Sequence, residues 1–176
     1  MPPRVPITLP NLISFARVPL ALAFLAFDQR VARLALIGAA GLTDYADGWL
    51  ARRGRGSRLG AVLDPITDKI FLVTALLSLA VAGPLTPLEL LILLARDIAV
   101  AFGFAVVILT RAPMRLSARM PGKVVTVLQL AALVALVLLP QWKGPVIAIV
   151  GAASAVAILD YGRLAILALR ALRTAH

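Results

Sequence analysis

With 176 residues, 61 % of them hydrophobic, and a mean hydropathy of +0.98, the chain is far more apolar than a soluble globular domain. Its formal net charge of +10 would suit nucleic acid in a soluble protein, but the basic residues fall mostly between apolar runs, where anionic headgroups and membrane topology account for them. An aromatic share of 6 % argues against a base-stacking surface, and zero cysteines exclude disulfides, thiolate chemistry and Cys-ligated metals; no nucleic-acid partner is expected.

The pattern predicts an all-α polytopic membrane protein, residues 1–176 forming a single domain of six transmembrane helices behind a short N-terminal interfacial segment. Four prolines in residues 2–10 prevent an early long helix. Asn11 can cap a first span reaching Phe27, with Pro19 bending it; Arg17 interrupts the apolar run, and with no small-residue cleavage site behind it the segment reads as a retained span. A second helix is expected over Val31–Ala51, small residues at 38–41 favouring close packing, and a third over Arg58–Ala82. Gly83, Pro84 and Pro87 then mark a turn.

The fourth helix, Thr86–Thr110, carries Arg96 and Asp97 near its middle, where an ion pair or a polar contact with another helix is expected. A basic connection at 111–123 leads to a fifth helix over Lys123–Leu139, with Thr126 and Gln129 as its polar face. The turn PQWKGP at 140–145 offers Trp142 and Lys143 as interface anchors, and a sixth helix over Val146–Leu169 is expected to be interrupted by Asp160, Tyr161 and Arg163. Six spans would place both termini on one side, with Arg4, the arginines at 52–58, those at 111–119, Lys123, Arg170 and Arg173. Arg30, Arg33 and Lys143 would face the other side, so the positive-inside rule predicts cytoplasmic termini.

Residues 44–68 hold four of the eight acidic residues. Asp44 and Asp47 are spaced i,i+3 on one predicted helix, and Asp64 and Asp68 i,i+4 on its antiparallel neighbour. At about 1.5 Å of rise per residue, all four share one depth zone in the cytoplasmic half. Four facing carboxylates in a low dielectric demand cations, protonation or wide separation. Hard oxygen donors suit Mg²⁺ or Mn²⁺, and a pair of ions about 3.5 to 4 Å apart can brace a phosphoryl group. Gly48 and Gly60 would let a phosphate or nucleotide approach the backbone, or simply let helices pack. The same intramembrane carboxylates would also serve a cation or proton transporter.

Asp44, Asp47, Gly48, Ala51, Arg52, Gly60, Asp64 and Asp68 resemble the signature D-x2-D-G-x2-A-R-x8-G-x3-D-x3-D of the CDP-alcohol phosphatidyltransferase family. Every named residue matches; only the Arg52–Gly60 gap departs, with seven residues where the family has eight. PNLISFARVPL at 10–20 resembles the family's first-span opening and PGKVVTVLQ at 121–129 its fifth. The resemblance implies a six-helix, homodimeric inner-membrane enzyme that transfers a phosphatidyl group from CDP-diacylglycerol to an alcohol, releasing CMP. By position it implies Asp44, Asp47, Asp64 and Asp68 as ligands of two Mg²⁺ or Mn²⁺ ions and Asp68 also as the general base. It puts Asp44, Gly48, Ala51, Arg52, Ser57 and Gly60 at the nucleotide.

Arg111, Arg115, Arg119 and Lys123 form the expected site for an acceptor or lipid phosphate, although topology anchoring explains the arginines equally well. GLTDYADGWLARR, with ARDIAVAFGF at 95–104, resembles the branch that makes cardiolipin from phosphatidylglycerol. The glycerol-3-phosphate branch, which makes phosphatidylglycerophosphate, usually carries a glutamate where this chain has Asp97 and an ALR-like segment where it has FGF.

Overall fold

The computed structural model describes residues 9–50, 60–110 and 120–174, with the side chains of Asp47 and Gly48 among those outside the description. Among the described residues seven α-helices follow in order: α1 Leu9–Phe15, α2 Arg17–Ala26, α3 Arg30–Leu50, α4 Gly60–Val81, α5 Pro87–Thr110, α6 Met120–Leu138 and α7 Lys143–Thr174, with a 3-10 turn at Pro140–Trp142 before α7. No strand occurs among the described residues, as expected of an all-α chain. The helices fall into two compact units, Met1–Pro84 and Leu85–His176.

In the first unit the predicted first span is two helices that meet at Ala16. Pro19 is the physical cause: it has no amide to donate, and its ring crowds the carbonyl four residues earlier, at Phe15. The chain bridges the break with bonds from the Ala16 amide to the carbonyls of Leu12 (3.2 Å) and Ile13 (3.1 Å). Beyond it α2 buries Arg17, Ala21 and Phe24, one face at helical spacing. Phe24 meets Phe71 of α4 edge to face, centroids 6.1 Å apart. α4 adds the buried Leu72, Ala75, Leu76 and Leu79. Such close contacts stabilise through van der Waals packing.

Arg33, at the α2–α3 turn, is buried. Its Nε donates to the Phe27 carbonyl at 3.0 Å, its Nη2 to Asp28 at 2.8 Å and to Ser78 Oγ at 3.2 Å, and its guanidinium lies 5.3 Å from the Phe24 ring centroid. The residue fastens the α2–α3 turn to α4. Arg33→Ala is expected to cost about 2 kcal/mol through lost packing and cation–π contact, lowering Tm by about 5 °C in a thermal melt.

In the second unit α7 packs on both α5 and α6. Gly151 permits close approach to α5, since a Cβ there would lie 2.8 Å from Ile92 Cγ2. Thr86 and Glu89 form a capping box at the start of α5: the Thr86 amide donates to Glu89 at 2.7 Å, and the Glu89 amide to Thr86 Oγ1 at 3.3 Å. Lys143, expected as an interface anchor, pairs with Glu89 at 3.0 Å and ties the first turn of α7 to that of α5.

The expected sixth helix needs two corrections. It starts at Lys143 rather than Val146, because Pro145 then sits in the first turn, where a missing amide leaves no bond unmade. It also runs through Asp160, Tyr161 and Arg163 without interruption, since polar side chains leave the backbone ladder intact and Tyr161 finds a partner sideways in Arg96. Among the described residues one segment, Pro140–Arg163, is long and apolar enough to cross a membrane by length and composition. Leu12–Ala26 and Gly122–Leu138 are shorter apolar helices.

Candidate active site

The first unit gathers the signature acids around α1 and the start of α2. Ser14 Oγ donates to Asp64 Oδ1, joining α1 to α4. One turn later, Arg17 has a side chain only 1 % exposed and reaches both halves of the signature. Its Nη2 lies 3.2 Å from Asp44 Oδ1 on α3, and its Nη1 2.7 Å from Asp68 Oδ1 on α4. Nε donates to Thr43 Oγ1 at 3.2 Å and Nη1 to Thr67 Oγ1 at 3.4 Å.

Local structure prepares these partners. Thr43 Oγ1 donates to the Ala40 carbonyl at 2.7 Å, leaving its lone pairs to accept from Arg17. Thr67 Oγ1 lies 3.1 Å from the carbonyls of both Leu63 and Asp64, one turn back on α4. The i,i+3 and i,i+4 spacings of Asp64, Thr67 and Asp68 turn all three toward α1 and α2. The opposite face of α4 carries an open groove of about 470 Å³ lined by Pro65, Ile66, Lys69, Ile70, Val73 and Thr74, with no carboxylate in it.

Charge decides why this arrangement is tolerable. The clustered carboxylates repel one another, and the expected remedy of cations, protonation or separation is partly supplied by the chain itself in Arg17. The side chains of Asp44 and Asp68 stay 61 % and 43 % exposed, so each meets the buried guanidinium on one side and open space on another. Asp44, Asp64 and Asp68 offer only carboxylate oxygens, the donor type that fits Mg²⁺ or Mn²⁺. Among the described residues no three acids are close enough together to enclose an ion. By donor chemistry and access the acids fit a hard cation, with Asp47, whose side chain lies outside the description, as the expected fourth.

The remaining expected residues are distributed as follows. Asp47 and Gly48 lie in the last turns of α3, and Gly60 is the first residue of α4. Ala51, Arg52, Ser57, Arg111, Arg115 and Arg119 lie outside the described residues. Lys123 is exposed in the first turn of α6, in the second unit. Ser14, Arg17, Thr43 and Thr67 were not anticipated as site residues. Arg17 carried the usable signal: a lone charge inside an apolar run is itself a mark of function, the rule already applied to the acids.

A second polar cluster bears out the expectation for Arg96 and Asp97. Arg96 Nη1 bonds Asp97 at 2.9 Å and Nη2 meets the Tyr161 hydroxyl at 3.4 Å. The fully buried Gln129 donates to Asp97 Oδ2 at 2.8 Å and to the Leu93 carbonyl at 2.7 Å. Gly122 fits against this cluster because a Cβ there would run into the Tyr161 hydroxyl and the Arg96 guanidinium. The cluster thereby fixes the start of α6, next to Lys123.

Comparison with known proteins gives relatives of two kinds. The chain is 37 % identical over 100 residues to the CDP-diacylglycerol--glycerol-3-phosphate 3-phosphatidyltransferase of Aquifex aeolicus, covering 53 % of this chain and 56 % of that one. It is also 37 % identical over 99 residues to the cardiolipin synthase (CMP-forming) of Rattus norvegicus, covering 53 % and 32 %. A putative cardiolipin synthase of Mycobacterium bovis is 35 % identical over 96 residues, covering 52 % and 46 %. The matches thus span little more than half of these curated relatives at most. The sequence profile of the CDP-alcohol phosphatidyltransferases, by contrast, matches residues 7–160, from the proline-rich start through Ser14, Arg17 and all four signature aspartates into α7, so the chain belongs to the CDP-alcohol phosphatidyltransferase family.

Proposed function

We propose that the protein transfers a phosphatidyl group from CDP-diacylglycerol to an alcohol and releases CMP. The observation that carries this reading is the gathering of Asp44, Asp64 and Asp68 around Ser14 and Arg17 within the family signature. In the reaction the acceptor hydroxyl attacks the phosphorus joined to diacylglycerol. A new P–O bond forms, the bond to the CMP phosphate breaks, and Asp68 takes the hydroxyl proton. Asp44, Asp47, Asp64 and Asp68 would hold Mg²⁺ or Mn²⁺, which when bound offsets charge on the transferring phosphoryl group. Arg52 adds positive charge there, and Asp44, Gly48, Ala51, Ser57 and Gly60 complete the nucleotide site.

Phosphatidylglycerol is the favoured acceptor, giving cardiolipin; glycerol 3-phosphate, giving phosphatidylglycerophosphate, is the alternative. The cardiolipin-like GLTDYADGWLARR, and Asp97 where the other branch has glutamate, support the first; the Aquifex aeolicus relative supports the second. Arg111, Arg115, Arg119 and Lys123 would bind the acceptor phosphate. We place the protein as a homodimer in a bacterial inner membrane, with six spans and both termini and the active site on the cytoplasmic side, as the positive-inside pattern favours.

The test supplies CDP-diacylglycerol and Mg²⁺ to purified protein with phosphatidylglycerol, glycerol 3-phosphate, serine or inositol phosphate in parallel. CMP release with cardiolipin as the new mass is the expected result. Release only with glycerol 3-phosphate transfers the assignment to the other branch, and no CMP with any acceptor overturns the transferase reading.

A further inference from the structure

The side chain that holds the two signature helices together is not part of the signature. Arg17 belongs to the buried stripe of α2 formed with Ala21 and Phe24, so its guanidinium cannot swing out to solvent without unpacking the helix. All three of its nitrogens are engaged, and they are engaged in matched pairs. Thr43 and Asp44 are adjacent on α3, Thr67 and Asp68 are adjacent on α4, and each threonine–aspartate pair takes one side of the planar fork. A guanidinium has this reach and fixed angle; an ammonium, as a point charge, does not. Arg17 meets Oδ1 of each aspartate, while both carboxylates keep solvent-facing surface.

We propose that Arg17 is a positioning residue, a built-in counter-cation that holds Asp44 and Asp68 together before a divalent ion arrives, so that the carboxylate pair is assembled in advance. The inference deepens the proposed transfer and rests on its metal requirement. The like charges of Asp44 and Asp68 repel, and the fixed positive charge between α3 and α4 relieves that repulsion in the metal-free protein. Without it, a bound divalent ion has more repulsion to relieve. Because an ion that binds only the folded protein stabilises it by linkage, the stabilisation gained from metal must then grow. A side chain that merely fills space would change stability equally with and without metal.

The experiment melts the full-length protein in detergent or nanodiscs, with no substrate, in EDTA and in saturating Mg²⁺. Wild type, Arg17→Met, Arg17→Lys, Thr43→Val and, as a control, Arg33→Ala are compared. Arg17→Met is expected to lower Tm in EDTA by about 10 °C, and its gain from Mg²⁺ should be at least about twice that of wild type. Arg17→Lys should fall between the two, Thr43→Val should show a small shift in the same direction, and Arg33→Ala should lose stability with the wild-type Mg²⁺ gain.

Equal losses in EDTA and Mg²⁺ for Arg17→Met overturn the proposal. Should that variant fail to fold, unchanged Mg²⁺ gains in both Arg17→Lys and Thr43→Val overturn it. The two readings fail separately. Wild-type protein that releases CMP but whose Tm ignores Mg²⁺ removes the Arg17 inference alone; a wild-type Mg²⁺ gain that Arg17→Met enlarges, without CMP release, removes the transferase reading alone.

Discussion

Asp68→Asn is expected to lower CMP release by about 10³-fold while leaving the protein folded. Asn keeps the size of the side chain and an oxygen that can accept from Arg17, and Asp44 remains as a counter-charge for the buried guanidinium. What it loses is the ability to take a proton from the acceptor hydroxyl and the negative charge that would help hold a metal. A thermal melt separates the two consequences: Tm should fall by no more than about 5 °C, whereas CMP measured by chromatography, with CDP-diacylglycerol and phosphatidylglycerol supplied, should be nearly absent. Full activity in this variant would remove Asp68 from the role of base. Asp44 lies at the same guanidinium but is the more exposed of the two, and it has no general-base role in this reading.

The second large effect is expected in the other unit. Asp97→Ala leaves Arg96, 13 % exposed, without its carboxylate partner, with its Nε already lacking a partner among the described residues. A buried cation stripped of its counter-charge costs about 3 to 5 kcal/mol, and the Gln129 amide loses an acceptor as well. Tm should drop by about 10 °C. The double variant Arg96→Met with Asp97→Leu should recover much of that loss, because replacing both partners by apolar side chains removes the desolvation penalty along with the attraction. A double-mutant cycle on melting data measures the coupling. A single Asp97→Ala variant as stable as wild type would show that the pair holds nothing together.

Most of the helical layout was legible because its causes are local. Apolar runs and Gly–Pro breakers located α3 through α6 to within a few residues, whereas Asn11, expected to cap the first span, lies inside α1, and Pro19 marked a bend whose observed form is a break at Ala16. The errors came from treating polarity as a breaker. Asp160, Tyr161 and Arg163 suggested an interruption, yet a side chain's polarity does not remove a backbone bond, and α7 continues to Thr174. The carboxylate partners of Arg33 and Lys143, Asp28 and Glu89, came only with the packing.

The sequence by itself determined the chemistry available: an all-helical apolar chain, four acids at helical spacings beside a basic turn, and the family those residues mark. Spacing along a helix fixes which residues share a face, so the grouping of Asp64 with Asp68 needed no structure. The partner of that face was another matter. Ser14 with Asp64, and Arg17 with Thr67, are each fifty residues apart, and nothing local distinguishes that pairing from a dozen others an apolar helix could make. Only the packing of α1 and α2 against α3 and α4 decided that the positive charge between the aspartates comes from Arg17, a residue outside the signature, because contacts between helices depend on which buried stripes meet.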